Sequence, residues 1–346
     1  MSDETIRITT LEPEQAEAWD GYVNNHPDGT FFHLSGWKRV LEKGVGHPAY
    51  FFCALKGDQI VGVLPTGHVK SMLFGNSLIS SPFSVYGGPI ADTEEIEQQL
   101  TQAACELAKR LKVDCLEMRL REKINPDWPT KDLYVTFRKE IDPDPDVNMK
   151  AIPRKQRAMV RKGMQAGLVS EIDTTLERFY EAYSFSVWRL GTPVFPKGYF
   201  QALKDVFGES CEIITITTES GELVASVMNF YFKDEVLPYY GGGLDIARDC
   251  KGNDFMYWEV MRMAAERGIR VFDYGRSKLE TGSYRFKKHW GFEPEPLPYQ
   301  YFLVKADEVP QINPNNPKYK LFIDTWKKMP VGLSRIIGPW LAKNLG

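Results

Sequence analysis

The stretch Val271–Phe292, VFDYGRSKLETGSYRFKKHWGF, reads as a buried strand that breaks into a polar turn and continues as a short basic helix. Val271 and Phe272 close the strand. Asp273, Tyr274, Gly275, Arg276 and Ser277 stand where it emerges, so their polar groups are expected to face a cleft. Thr281 and Gly282 signal a turn, and the next residues set Arg285, Lys287, Lys288 and His289 among Tyr284, Phe286 and Trp290. Cations fixed on packed elements neutralise a phosphate or stabilise an oxyanion better than the same charges in water. The plainer reading is a solvated basic helix over an aromatic core.

Working outward, strands are expected at Glu212 to Thr218, Leu223 to Phe232 and Val236 to Gly241, with a helix from Phe255 to Arg267 that Gly268 ends. Helices from Leu176 to Leu190 and Tyr199 to Phe207 precede them. The first half of the chain shows the same order. A helix is entered at Pro13, and an apolar segment from Thr30 to Lys43 turns helical after Ser35, a candidate N-cap. Strands follow at Tyr50 to Leu55, Ile60 to Val69 and Val85 to Ile90, then a helix from Glu94 to Leu111 and strands at Cys115 to Leu120 and Tyr134 to Ile141. This hidden repeat predicts two copies of one α/β fold, each a mixed, mostly antiparallel sheet flanked by helices.

The length of 346 residues suits two domains, and 43% apolar and 26% charged residues with a net charge of −3 describe a globular chain without a global bias toward nucleic acid. Five scattered cysteines without a CxxC pair argue against a disulfide framework or zinc site and point to a reducing cytoplasm. The N-terminal residues do not read as a secretory signal, and no run of about 18 apolar residues suggests a membrane span.

The acidic, proline-broken segment Asp142 to Asp146 is taken as the boundary, giving domains 1–146 and 147–310 and a tail 311–346. Directly after it, Lys150 to Lys162 carries Lys150, Arg154, Lys155, Arg157, Arg161 and Lys162 and no acid. Pro153 suits a first helical position, from which Arg154, Arg157 and Arg161 share one face. An anion-binding role is favoured over a merely solvated face.

Five segments resemble the FemAB family of aminoacyl and acyl transferases: FFHLSGW (31–37), PRKQRAMVRKG (153–163), FYEAYSFSVWRLGTP (179–193), YYGGG (239–243) with NDFMYWEVMRMAAERG (253–268), and DYGRS with GSYRFKKHWG. The likeness covers about residues 25–305 and is greatest to FemAB-like proteins of Gram-negative bacteria associated with exopolysaccharide and protein-sorting systems. It implies a tandem pair of GNAT-type domains. It also implies transfer of an acyl group, typically an amino acid from aminoacyl-tRNA, to an amine of a cell-wall precursor, with no bound cofactor. By the same resemblance Lys287 stabilises the oxyanion, while Lys38, with Arg39 as the alternative, and Arg189 bind a diphosphate. The long helical arm that some members use for tRNA is missing, which leaves another activated donor open.

From the residues themselves, Lys288 competes with Lys287 by one position of register, and Phe286 and Trp290 are expected to pack the lysine stem. Arg276 is expected to pair with Asp273 or with substrate phosphate, and Tyr239 or Tyr240 to reach the cleft. An acyl-CoA-dependent enzyme is disfavoured because the segment 248–254 has one glycine and places Asp254 where a helix N-terminus would hold pyrophosphate. A non-enzymatic module for nucleic acid or an anionic polymer lacks interleaved aromatics. The tail TWKKMPVGLSRIIGPWLAKNLG (325–346) is expected either to dock its apolar side on the second domain or to contact the inner membrane surface, with Pro330 and Pro339 splitting it into short turns.

Overall fold

The computed structural model describes residues 5–71, 74–310 and 317–344, with backbone alone for 317–321. The chain forms two compact units. The first is built from the chain up to Tyr134 and from the segment that begins at Pro296. Its elements run β1 (Ile6–Thr10), α1 (Ala16–Asn25), α2 (Gly36–Arg39), β2 (Ala49–Lys56), β3 (Gln59–Ser71), β4 (Gly75–Ser80), the two-residue β5 (Ile90–Ala91), α3 (Glu94–Leu111) and β6 (Cys115–Arg119). The strands β1 to β4 are antiparallel neighbours, β6 is parallel to β4, and α3 makes the crossover. Thr93 caps α3 by accepting the Ile96 N–H, and Ile96, Leu100, Ala104, Leu107 and Ala108 bury one stripe of it.

β7 (Thr130–Glu140) leads into the second unit, Val135–Glu295 with the C-terminal segment that ends at Lys343. There follow α4 (Pro145–Ala151), α5 (Arg154–Gln165), β8 (Val169–Asp173), α6 (Glu177–Leu190), α7 (Lys197–Phe207), β9 (Cys211–Thr217), β10 (Leu223–Phe232), β11 (Glu235–Gly243), α8 (Ile246–Asp249), α9 (Gly252–Glu266), β12 (Val271–Asp273), β13 (Ser277–Lys278) and α10 (Gly282–His289). β14 (Pro294–Leu303) enters the first unit, and α11 (Pro317–Lys328) and α12 (Val331–Ala342) close the second. Its topology repeats the first: β9, β10 and β11 are antiparallel, α9 crosses over, and β12 is parallel to β11.

The glycine-rich end of β11 lets helices press on both faces of this sheet. A Cβ on Gly242 would lie 2.7 Å from the Ala182 carbonyl oxygen of α6, and one on Gly243 would lie 2.6 Å from Asn253 Oδ1 of α9. Successive residues of a strand face opposite ways, so α6 and α9 cover opposite faces.

The parting of the units differs from the expected boundary at Asp142 to Asp146. Residues Arg138, Lys139 and Glu140 of β7 pair antiparallel with Asp273, Phe272 and Val271, so this strand completes the second sheet. β14 conversely pairs with β6 through Tyr299 to Leu303 and completes the first. Each half of the sequence thus gives one strand to the other unit's sheet. The acidic segment is a helix entry, not a linker. Asp144 accepts the Asp146 N–H at the start of α4, with Pro145 at the first helical position.

Three smaller expectations fail locally. Ser35 precedes α2 but its hydroxyl donates to Asp20 Oδ2, not to the helix. Val85 to Pro89 is irregular, following Ser81 and Phe83 in left-handed backbone, and of the expected strand only its end survives, as the two-residue β5. Pro330 separates α11 from α12, but Pro339 sits inside α12, near its end, where little helix remains to break.

Candidate active site

Asp273 ends β12 fully buried, and its Oδ1 accepts the Gly275 N–H at 2.7 Å and the Thr136 hydroxyl at 3.2 Å. Its Oδ2 lies 3.5 Å from Arg138 Nε, and Arg138 also pairs with Glu235. A carboxylate bonding the backbone two residues on is an Asx turn, and Gly275 supplies the left-handed φ of 68° that bends it. The turn aims two carbonyls at one lysine: Lys287 Nζ donates to Gly275 O at 2.8 Å and Arg276 O at 3.1 Å.

Lys287 occupies the last turn of α10, whose N-terminus Thr281 caps through the Tyr284 N–H. Its exposure is 8%, and Nζ lies over the rings of Phe137, at 5.5 Å, and Tyr274, at 6.0 Å. These two rings flank the ammonium, while Phe286 and Trp290, expected to pack the lysine stem, belong to the apolar core. Burial removes water from the charged form and lowers its pKa to about 7. Asp273 opposes the fall, and Arg276 adds to it. Tyr274 Oη and Ser277 Oγ are buried and have no hydrogen-bond partner among the described residues. Lys288 is exposed, so of the two lysines Lys287 is the one seated on the turn.

The other expected residues spread over several surfaces. Arg276 is half-buried and joins the lysine site through its carbonyl, while Asp273 meets the guanidinium of Arg138. Tyr240 is not at a cleft: it is buried against Tyr183, Phe200 and Tyr199, with its hydroxyl 2.9 Å from Tyr199 Oη. Arg189 pairs with Asp245 at 2.7 Å on an exposed edge of α6. In the first unit, Lys38 pairs with Glu42 at 2.9 Å, and Arg39 is exposed.

Pro153 precedes α5, whose buried side is Gln156, Val160 and Gly163. Arg154, Lys155, Arg161 and Lys162 are exposed, Arg157 is half-exposed, and none forms an ion pair among the described residues. The helix covers the start of α9. Gln156 bonds Asp254, and a Cβ on Gly163 would lie 2.7 Å from Phe255 Cβ and 3.3 Å from the Lys251 carbonyl oxygen. The α9 N-terminus is therefore filled by protein, and the first turn of α3 holds Glu94, Glu95 and Glu97. Neither is a ready pyrophosphate cradle.

Thr136, Phe137 and Arg138 do not stand out in the sequence, because β7 lies far along the chain from the turn it supports. A threonine and an arginine two apart on a strand that also carries the buried Phe137 are the available signal.

Residues 149–288 match the family model described as an acetyltransferase (GNAT) domain. No curated protein matches the chain. Among solved structures, FemX matches with a TM-score of 0.67 at 16% identity, over 92% of this chain and 100% of that one. A tandem GNAT protein from the clavulanic acid biosynthesis pathway matches with a TM-score of 0.55 at 13% identity, over 88% and 100%. The C-terminal domain of a putative lysylphosphatidylglycerol synthetase from Agrobacterium fabrum matches with a TM-score of 0.55 at 13% identity, over 83% and 91%. The repeated topology, the domain match and these structures together give the chain a tandem GNAT fold similar to that of FemX.

Proposed function

We propose that the protein transfers an acyl or aminoacyl group from an activated ester, aminoacyl-tRNA in the first instance, to an amine of a phosphate-bearing cell-wall or exopolysaccharide precursor in the cytoplasm. The observation that carries this reading is Lys287. A protonated lysine has three N–H donors. Two are taken by Gly275 O and Arg276 O, which leaves one for the oxyanion that forms when the amine attacks the ester carbonyl. Collapse of that intermediate forms the amide and expels the donor's hydroxyl. Tyr274 Oη and Ser277 Oγ, buried without a hydrogen-bond partner among the described residues, belong to the same turn. The cations of α5 are the proposed contact for the tRNA backbone, and Arg189 and Lys38 are proposed phosphate contacts. Acyl-CoA is the second donor considered, and the filled α9 N-terminus weighs against it.

Purified protein is given labelled aminoacyl-tRNA or acyl-CoA with an extract of precursors, and products are read by mass spectrometry. A new amide-linked residue from tRNA supports the proposal. Transfer from acyl-CoA alone replaces the donor, and no new amide from either rejects acyl transfer.

A further inference from the structure

Helix α12 docks the wrong way round for a surface helix of a globular protein. Its buried positions are Ser334, Gly338, Leu341 and Ala342, mostly small residues. They seat against α6 and its C-terminal loop. Arg335 Nε donates to Ser184 Oγ at 2.9 Å, Trp188 Nε1 donates to Met329 O at 2.8 Å, and a Cβ on Gly338 would lie 3.0 Å from the Val194 nitrogen. The large apolar side chains turn outward. Leu333, Ile336, Ile337 and Trp340 follow a spacing of three and four along one face, with Ile336 75% and Trp340 60% exposed. Leu190, 68% exposed, ends α6 next to Gly191, which abuts Ile323 and Lys327 of α11. From Thr325 onward the sequence has four cations, Lys327, Lys328, Arg335 and Lys343, and no acid.

We propose that this face docks on an anionic lipid surface, with α12 lying in the headgroup plane. The inference stands on the helix surface alone, independent of the acyl-transfer reading. Both properties of the patch choose this occupant. A protein partner's interface core is depleted of lysine, whereas here Lys327 abuts Gly191 beside the exposed Leu190, and Lys328 is exposed next to it on α11. An apolar ridge carrying tryptophan, flanked by cations, fits acyl chains beneath anionic headgroups. No helix among the described residues is long and apolar enough to cross a membrane, so the contact is peripheral.

Full-length protein is floated with phosphatidylcholine vesicles, with and without phosphatidylglycerol, at low and high salt. The expected result is partition onto the anionic vesicles at low salt that weakens as salt rises. Ile336→Glu with Trp340→Glu should lower that partition by about tenfold or more. Because both residues are exposed, the melting temperature should stay within a few degrees of wild type. Lys327→Glu with Lys328→Glu should lower binding to anionic vesicles and leave binding to neutral ones unchanged. Absent partition by the wild type, or equal partition by Ile336→Glu with Trp340→Glu, overturns the proposal. Also overturning is a dimer in analytical ultracentrifugation that the same pair dissolves without any vesicle binding, since the ridge would then serve a second copy of the chain.

Discussion

Lys287 and Asp273 are coupled through the turn that lies between them. The carboxylate holds the Gly275 N–H, and the carbonyls of Gly275 and Arg276 hold the ammonium. The lysine is thereby fixed by neutral groups, and its pKa falls to about 7 because burial outweighs the pull of Asp273.

This ionisation gives the first prediction. If the protonated lysine stabilises the oxyanion, kcat/KM falls as pH rises through about 7, since kcat/KM reports the free enzyme. An ordinary amine acceptor conceals the effect, because protonated lysine with neutral amine and neutral lysine with ammonium carry the same number of protons. A hydrazide acceptor, unprotonated throughout this range, removes the ambiguity. A rate that rises through pH 7 with the hydrazide would instead make Lys287 the general base. Lys287→Ala should cost at least about 100-fold in kcat, the loss of one good oxyanion donor. Turnover within about threefold of wild type would reject the residue altogether.

The second prediction concerns stability. The pKa of Lys287 is lowered from 10.5 to about 7, so between these values the unfolded chain holds a proton that the folded protein does not. Unfolding then takes up a proton, and stability rises with pH across that window, with the full penalty present below about 7. The window is worth roughly 5 kcal/mol at about 1.4 kcal/mol per pH unit. Lys287→Met should abolish this slope, so that denaturant midpoints of variant and wild type converge toward high pH and separate in the variant's favour toward pH 6. Parallel midpoints over the range would show that Lys287 titrates normally.

Asp273→Asn separates charge from geometry. The amide oxygen can still accept the Gly275 N–H and keep the turn, but the charge that raises the lysine's pKa is gone. The falling limb of the hydrazide profile should move to lower pH, and kcat should drop more than KM rises. An unchanged midpoint with lower kcat would assign Asp273 a purely structural role.

What is legible in the sequence and what is hidden follow from range. The turn, the α10 cap and the cation cluster lie within one local stretch, where Thr281, Gly275 and the lysines carry their own conformational signals. The support from Thr136, Phe137 and Arg138 comes through strand pairing, and alternation marks β7 as a strand without naming its neighbour. The displaced domain boundary has the same origin. Alternation along β11 suggests one buried and one open face, whereas helices cover both, which is why Tyr240 lies in the core and not at a cleft. In the tail, one of the two expected arrangements docks the apolar side inward, but Gly338 and Ser334 allow closer docking than Ile336 or Trp340 could.

Tyr240→Phe tests that correction. The substitution removes a buried hydroxyl contact and leaves Tyr199 Oη without it, which should cost about 1–2 kcal/mol of unfolding free energy. KM for the acceptor should stay within about twofold. A severalfold rise in KM at unchanged stability would return Tyr240 to the substrate site.

The basic face of α5 provides the remaining prediction. Its packing contacts run through Gln156, Val160 and Gly163, so replacing Arg154, Arg157 and Arg161 with Gln should leave the melting temperature nearly unchanged. If these arginines meet a nucleic-acid backbone, neutralising each one should reduce the slope of log KM against log salt for aminoacyl-tRNA by about 0.7–0.9. The triple variant should raise KM for tRNA at low salt by about tenfold or more and leave kcat near wild type, because the phosphate interactions are made equally in ground and transition states. A small activated ester of the same amino acid, which has no backbone to meet, should react at the wild-type rate. An unaltered salt slope in the triple variant would mean that these cations are a solvated surface and that the donor engages the protein elsewhere.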